Sequence, residues 1–264
     1  MVERPQRGKK KHKLLGNHQR SWLWGRHLVT EVLSAGRWPM LELYLADDLP
    51  EALLESTRKQ IAGTDCGLEV VSRERLGELS HTSEHQGFLA RVGPYPYLPP
   101  EELLKNSSDD GVWLVLVGIQ DPHNLGAILR SAEVFGVTGV FLGEHGQTGI
   151  NTQVARSSAG AVNRLKIARV PEFLPLLDQL RALQIQTIAT TLASAVPLAD
   201  CKLTGHVALL VGNEGTGLPE EILAHSMTRV RIPQTGTLNS LNVAAATAVC
   251  LYEIQRQRLA GPSR

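Results

Sequence analysis

The chain has 264 residues, 42% of them hydrophobic, 20% charged and only 5% aromatic, which is enough apolar material to bury a core and excludes disorder of the whole chain. No apolar run approaches the roughly 20 residues that cross a bilayer, and the first apolar residues lie among lysines and arginines. Neither a membrane span nor a signal peptide is expected, and the reading is cytoplasmic. The net charge of +1 conceals an asymmetry: residues 1 to 27 carry eight Lys/Arg against the single acid Glu3, which leaves the remainder at −6. That basic segment can attract phosphate or serve only as a solubilising extension. Cys66, Cys201 and Cys250 form no Cys-x-x-Cys pair, so they suggest neither a disulfide framework nor a zinc site and read as buried small hydrophobes.

Taken in chain order, residues 1–21 form a basic tail expected to be disordered, and a globular pattern begins at Trp22. A helix is predicted over Trp22 to Ala35, a strand over Leu41 to Ala46, a helix over Glu51 to Ile61 and a strand over Leu68 to Val71. A short helix near Glu74 to Leu79 and an apolar run from Gly87 to Val92 complete a small α/β domain, 22–92. Four prolines in the eight residues 93 to 100 bar helix and interior strand, so 93–110 reads as an interdomain linker. Beyond it, in 111–264, short β-rich runs alternate with helical ones: Val112 to Ile119, Gly139 to Leu142, Leu165 to Val170, Thr187 to Thr191, Val207 to Val211 and Arg229 to Ile232. Such alternation implies a mostly parallel sheet covered by helices. The last helix, Ser240 to about Arg258, begins apolar on nearly every face, which predicts burial, including against a second subunit.

Three loops at strand ends look chemical, as expected where parallel sheets bind ligands. The first runs Gln120-Asp121-Pro122-His123-Asn124-Leu125-Gly126 into a helix that carries Arg130. Without G-x-G-x-x-G or Gly-Lys-Ser/Thr, nicotinamide and nucleoside triphosphate readings lose support. Asn124 could be merely a helix cap and Arg130 a solvated side chain. The second, Gly212-Asn213-Glu214-Gly215-Thr216-Gly217-Leu218-Pro219, lets backbone approach a ligand, but Glu214 would repel phosphate and suits a neutral or cationic one. An ordinary glycine-rich turn is the bland alternative. In the third, Ile232-Pro233-Gln234-Thr235-Gly236-Thr237-Leu238-Asn239-Ser240-Leu241-Asn242-Val243, Ser240 can cap the final helix. Asn242, placed inside that apolar helix, must find partners or cost roughly 1–3 kcal/mol.

Together the loops resemble the signatures of the SpoU (TrmH-type) RNA 2′-O-ribose methyltransferases of the SPOUT class. They read Asn124-x-Gly126-Ala127-x-x-Arg130, Gly212-Asn213-Glu214-Gly215-x-Gly217-Leu218, and Ile232-Pro233-x-x-Gly236-x-x-x-Ser240-Leu241-Asn242-Val243-x-x-Ala246. Upstream, Gly25-Arg26-His27-Leu28-Val29-x-Glu31-Val32-Leu33 and His85-Gln86-Gly87 are similar to the small ribosomal-protein-like substrate-binding domain of members that act on ribosomal RNA. The resemblance spans roughly residues 22 to 260.

The resemblance implies a C-terminal α/β trefoil-knot domain and S-adenosylmethionine as cofactor, held by Gly212, Ile232 and Leu241 with Thr190, Thr191 and Gly217 nearby. It implies catalysis by Arg130 with Asn124, Glu214, Ser240 and Asn242, no metal, and a homodimer acting on RNA, most directly ribosomal RNA. A guanidinium holds its proton too tightly to make a good base, so clamping phosphate or stabilising a developing alkoxide is the easier role for Arg130. A transfer-RNA ribose methyltransferase and a non-catalytic RNA-binding assembly factor are the competing readings.

Overall fold

A computed structural model describes residues 21–105, 110–193, 195–238 and 240–260. The basic tail expected over residues 1–21 lies outside them except for Ser21. The chain divides into two compact units with the boundary between Pro94 and Tyr95.

The first unit contains β1 (Trp22–Trp24), α1 (Arg26–Ala35), β2 (Met40–Ala46), α2 (Glu51–Ile61), β3 (Gly67–Val71), α3 (Arg73–Ser80) and β4 (Phe88–Val92). Its sheet runs β1-β4-β2-β3, with β2 and β3 parallel and β4 antiparallel to both of its neighbours. One departure from expectation is the opening helix. Trp22–Trp24 is instead a strand paired along β4, and Gly25, at φ 96°, separates it from α1. Three residues with two tryptophans suit a short edge strand better than a helical turn. Leu28, Val29 and Val32 then turn the buried side of α1 inward.

The second unit begins inside the expected linker. Leu98 pairs with Ala168 and donates its N–H to the Ile167 carbonyl at 2.8 Å, and Pro100 opens α4 (Pro100–Lys105). Proline suits the first helical turn because that N–H has no intrahelical partner to lose. There follow β5 (Val112–Leu116), α5 (Pro122–Val134), β6 (Gly139–Gly143), α6 (Thr152–Ser157), β7 (Ile167–Val170), α7 (Phe173–Ala182), β8 (Gln186–Thr190), β9 (Val196–Pro197), β10 (Val207–Val211), α8 (Glu220–His225), β11 (Thr228–Arg231) and α9 (Val243–Leu259).

The seven strands lie in the order β7-β6-β5-β10-β8-β11-β9, and all are parallel. Strands β5, β6 and β10 are buried at every residue, which is why they read as continuous Val/Leu runs rather than alternating ones. Leu125, Ile128, Leu129 and Ala132 form the buried stripe of α5.

The final helix also departs from expectation. It starts at Val243, not Ser240, and Asn242 is its cap, accepting from the N–H groups of Ala244 at 2.9 Å and Ala245 at 3.3 Å. Nor is it wholly buried: Cys250, Leu251 and Ile254 face the core, while Val249 is 41% and Tyr252 57% exposed. Of the cysteines, Cys201 and Cys250 are buried as expected, whereas Cys66 is half-buried.

Candidate functional site

The loops that follow β5, β8, β10 and β11 all leave the carboxyl end of the sheet, where parallel topology leaves a crevice. A cavity of about 510 Å³ lies there. Its wall includes Thr190 and Thr191 after β8, Gly212 to Leu218 after β10, Ile232 after β11, and Ser240 and Leu241 ahead of α9. All six residues expected to hold a cofactor line this one cavity. So do Glu214 and Ser240 from the expected catalytic set.

Asn124, Arg130 and Asn242 do not line it. Two of them are tied to it by hydrogen bonds. The Glu214 carboxylate accepts from the N–H of Gln120 at 3.3 Å, the N–H of Asp121 at 3.2 Å and Asn124 Nδ2 at 3.2 Å. Asn124 Oδ1 in turn accepts from Asn242 Nδ2 at 3.0 Å. Asn242 thus finds partners on both sides of its amide, since its Oδ1 caps α9. Burial pushes the Glu214 carboxyl up, but the backbone and side-chain donors around it outweigh that and hold it below the ordinary carboxylate range. The three motif loops therefore meet in one chain of bonds, Glu214–Asn124–Asn242, with an ionised carboxylate at its head.

Capping sorts the remaining polar residues. Asp121, not Asn124, caps α5 by accepting from His123 N–H at 2.8 Å, which frees the Asn124 amide for Glu214. Ser240 is exposed and lies ahead of the α9 cap. Arg130 is exposed on α5. Its position shares a helical stripe with His123, Ala127 and Val134, at spacings of three and four residues.

Two motif glycines answer to close packing. A Cβ on Gly212 would sit 2.2 Å from the Gly217 carbonyl carbon and 2.3 Å from the Leu218 nitrogen. A Cβ on Gly126 would sit 1.8 Å from Ser157 Oγ, which accordingly fixes the spacing between α5 and α6.

The sequence reading missed the cavity wall formed by α9: Val243, Ala246, Thr247 and Cys250. Their spacing is helical, but in a helix apolar all round that period singles out no face. Gln234 and Leu192 also line the cavity. Its charged lining is Glu214 and Arg231, so no cluster of cations awaits a phosphate. Among the described residues no group of three His, Cys, Asp or Glu side chains is placed to hold a metal ion. Among them, too, no helix is long and apolar enough to cross a membrane.

Comparison with known proteins identifies the family. Residues 111–252 match the SpoU rRNA methylase family, and residues 22–98 match the RNA 2′-O ribose methyltransferase substrate-binding domain. The chain is 32% identical over 239 residues to the 23S rRNA (guanosine-2′-O-)-methyltransferase RlmB of Coxiella burnetii, covering 89% of this chain and 95% of that one. It is 32% identical over 242 residues to the protein of the same name from Pasteurella multocida, covering 90% and 98%. The crystal structure of the AdoMet-bound rRNA methyltransferase from Sinorhizobium meliloti superposes with a TM-score of 0.79 at 27% identity, covering 94% of this chain and 90% of that one.

Proposed function

The chain belongs to the SpoU rRNA methylase family and is an S-adenosylmethionine-dependent RNA ribose 2′-O-methyltransferase, and on that premise we propose that its acceptor is a guanosine of large-subunit ribosomal RNA and that it works as a homodimer in the cytoplasm. The observation that carries the reading is the Glu214–Asn124–Asn242 junction beside a glycine-lined, largely uncharged cavity.

The cavity fits the cofactor. A cradle closed to any Cβ at Gly212 leaves backbone to meet the ligand. A single carboxylate, with no cationic cluster, suits a sulfonium compound that carries no phosphate. Gly212, Gly217, Ile232 and Leu241 would hold it, with Thr190 and Thr191 at the end of β8, the strand between β10 and β11. S-adenosylmethionine supplies, when bound, an electrophilic methyl group.

The acceptor hydroxyl is scarcely ionised at neutral pH, so the protein must stabilise charge developing on its oxygen. Arg130 has the chemistry for it: a guanidinium that stays charged and donates in a planar fork to phosphate or alkoxide. Glu214 orients rather than reacts, because its acceptor sites are taken up by Gln120, Asp121, Asn124 and Asn213. Ser240 lines the cavity, and Asn242 acts on it through Asn124, to which it donates.

Arg130 is exposed and absent from the lining formed by its own chain. Val134, next on its stripe, is 65% exposed, and Val249 and Tyr252 on α9 are exposed as well. A second copy packed on this apolar surface would bring Arg130 to a composite site. The basic residues of the tail, outside the described residues, would add sequence-independent attraction for RNA. The test is calorimetric binding of S-adenosylmethionine followed by labelled methyl transfer to ribosomal RNA and to DNA of matching sequence. Cofactor binding with transfer to RNA alone supports the reading, and equal labelling of DNA defeats it.

A further inference from the structure

The segment joining β5 to α5 carries the junction's Asn124, and the chain fixes it in an unusual way. Gly118, at φ 77°, is gripped at both ends of its backbone by side-chain amides. Its N–H donates to Gln147 Oε1 at 2.8 Å, and its carbonyl accepts from Asn213 Nδ2 at 2.8 Å. The neighbours are held as well. Val117 N–H donates to the Val211 carbonyl at 2.9 Å, the Ile119 carbonyl accepts from Thr148 N–H at 2.9 Å, and the N–H groups of Gln120 and Asp121 reach Glu214.

Gln147 can act as a fixed point because its own loop is fastened at both ends. Glu144 N–H donates to the Val170 carbonyl at 2.9 Å, and the Glu144 carbonyl accepts from the Arg169 guanidinium at 2.7 Å. At the far end Ile150 N–H donates to the Tyr97 hydroxyl at 2.6 Å, and Arg169 lies over the Tyr97 ring at 5.2 Å from its centre. Gln147 is not part of the cavity wall.

Resting on the methyltransferase reading, we propose that Gln147 is a positioning residue for methyl transfer, acting through the Gly118 peptide to set where Asn124 and the start of α5 stand against Glu214. The structure uses one end of its amide only: Oε1 holds Gly118, whereas Nε2 is buried without a hydrogen-bond partner among the described residues. The acceptor is therefore what matters. Glutamate keeps an oxygen at that position, and methionine keeps the length but accepts poorly.

The experiment compares wild type, Gln147→Met and Gln147→Glu by kcat and KM for RNA, by cofactor affinity, and by hydrogen exchange over residues 117–124. Displacing a reacting constellation by a fraction of an ångström to 1 Å lowers kcat by about tenfold to a hundredfold. Gln147→Met should show that loss with KM and cofactor affinity unchanged, together with faster exchange at Gly118. Gln147→Glu should recover part of both and exceed Gln147→Met, since it keeps the acceptor but puts a charged oxygen where Nε2 lies buried without a partner. Wild-type kcat and exchange in Gln147→Met, or equal impairment of both variants, would overturn the proposal. Absence of methyl transfer by the wild type would instead defeat the enzymatic reading, while the exchange comparison still decides whether Gln147 holds the loop.

Discussion

Gly212→Ala isolates the close approach on which the cofactor cavity depends. The added Cβ would lie 2.2, 2.3 and 2.5 Å from the Gly217 carbonyl carbon, the Leu218 nitrogen and the Gly217 oxygen. All three are backbone atoms, so no side-chain rotation relieves the overlap. Relief requires the turn to open, and that turn is closed by reciprocal bonds between Asn213 and Gly217 at 3.0 and 2.9 Å. Overpacking of this kind costs about 1–3 kcal/mol. Because Gly212 and Gly217 both line the cavity, the distortion falls on the binding surface. Each 1.4 kcal/mol is tenfold in affinity, so cofactor affinity should fall by about 5- to 150-fold. Isothermal calorimetry with S-adenosylmethionine measures this, with thermal unfolding in parallel to show that the variant folds. A folded variant with wild-type affinity would refute the reasoning.

Further outcomes follow from the same geometry. Asn242→Ala should destabilise by about 1 kcal/mol through loss of the α9 cap and also lower kcat through loss of the Asn124 bond; Asn242→Ser should recover the thermal midpoint but not the turnover. Arg130→Ala should leave cofactor affinity unchanged and lower kcat by about 10²- to 10³-fold, as for loss of one charge-stabilising donor, and Arg130→Lys should recover little because the planar fork is gone; normal turnover by the alanine variant would remove Arg130 from the site. Burial, aided by Arg73 and opposed by Asp48, holds the His85 imidazole below its ordinary 6.5, so the unfolded chain takes up the proton first. The stabilisation from neutral His85 is therefore complete above pH 6.5 and lost as pH falls from there toward the depressed folded value; unfolding midpoints between pH 7.5 and 5.5 should drop less in His85→Gln than in wild type.

What could be read from the sequence was chiefly what local chemistry dictates. Runs such as Val112 to Leu116 and Val207 to Val211 are apolar at every position because both faces of the sheet are covered, and glycine and asparagine gather where those strands end. The three motif loops were legible for that reason, and the structure gathers all six expected cofactor residues around one cavity. Features set by distant partners were not legible. Trp22–Trp24 is a strand only because β4 is there to pair with it. The Pro-rich stretch reads as a free linker until Leu98 meets Ala168. Ser240 reads as the cap of α9, but Asn242 takes that place, and its amide also reaches Asn124, 118 residues away in sequence. Alternation of strands and helices likewise implies an ordinary wound sheet, since knots are exceptions to normal topology; the expectation of a knot came only from the family resemblance. The contribution of Gln147 has no local signature, because an amide in a surface loop shows its worth only through the backbone it holds.

The most direct test of the central claim is the chemical position of the transferred methyl group. Unmodified large-subunit ribosomal RNA is incubated with the protein and isotopically labelled S-adenosylmethionine, digested to nucleosides and analysed by mass spectrometry. Label is expected in 2′-O-methylguanosine, with the methyl retained on the ribose after glycosidic cleavage. Label on a base, or none in RNA that the protein demonstrably binds, would contradict it.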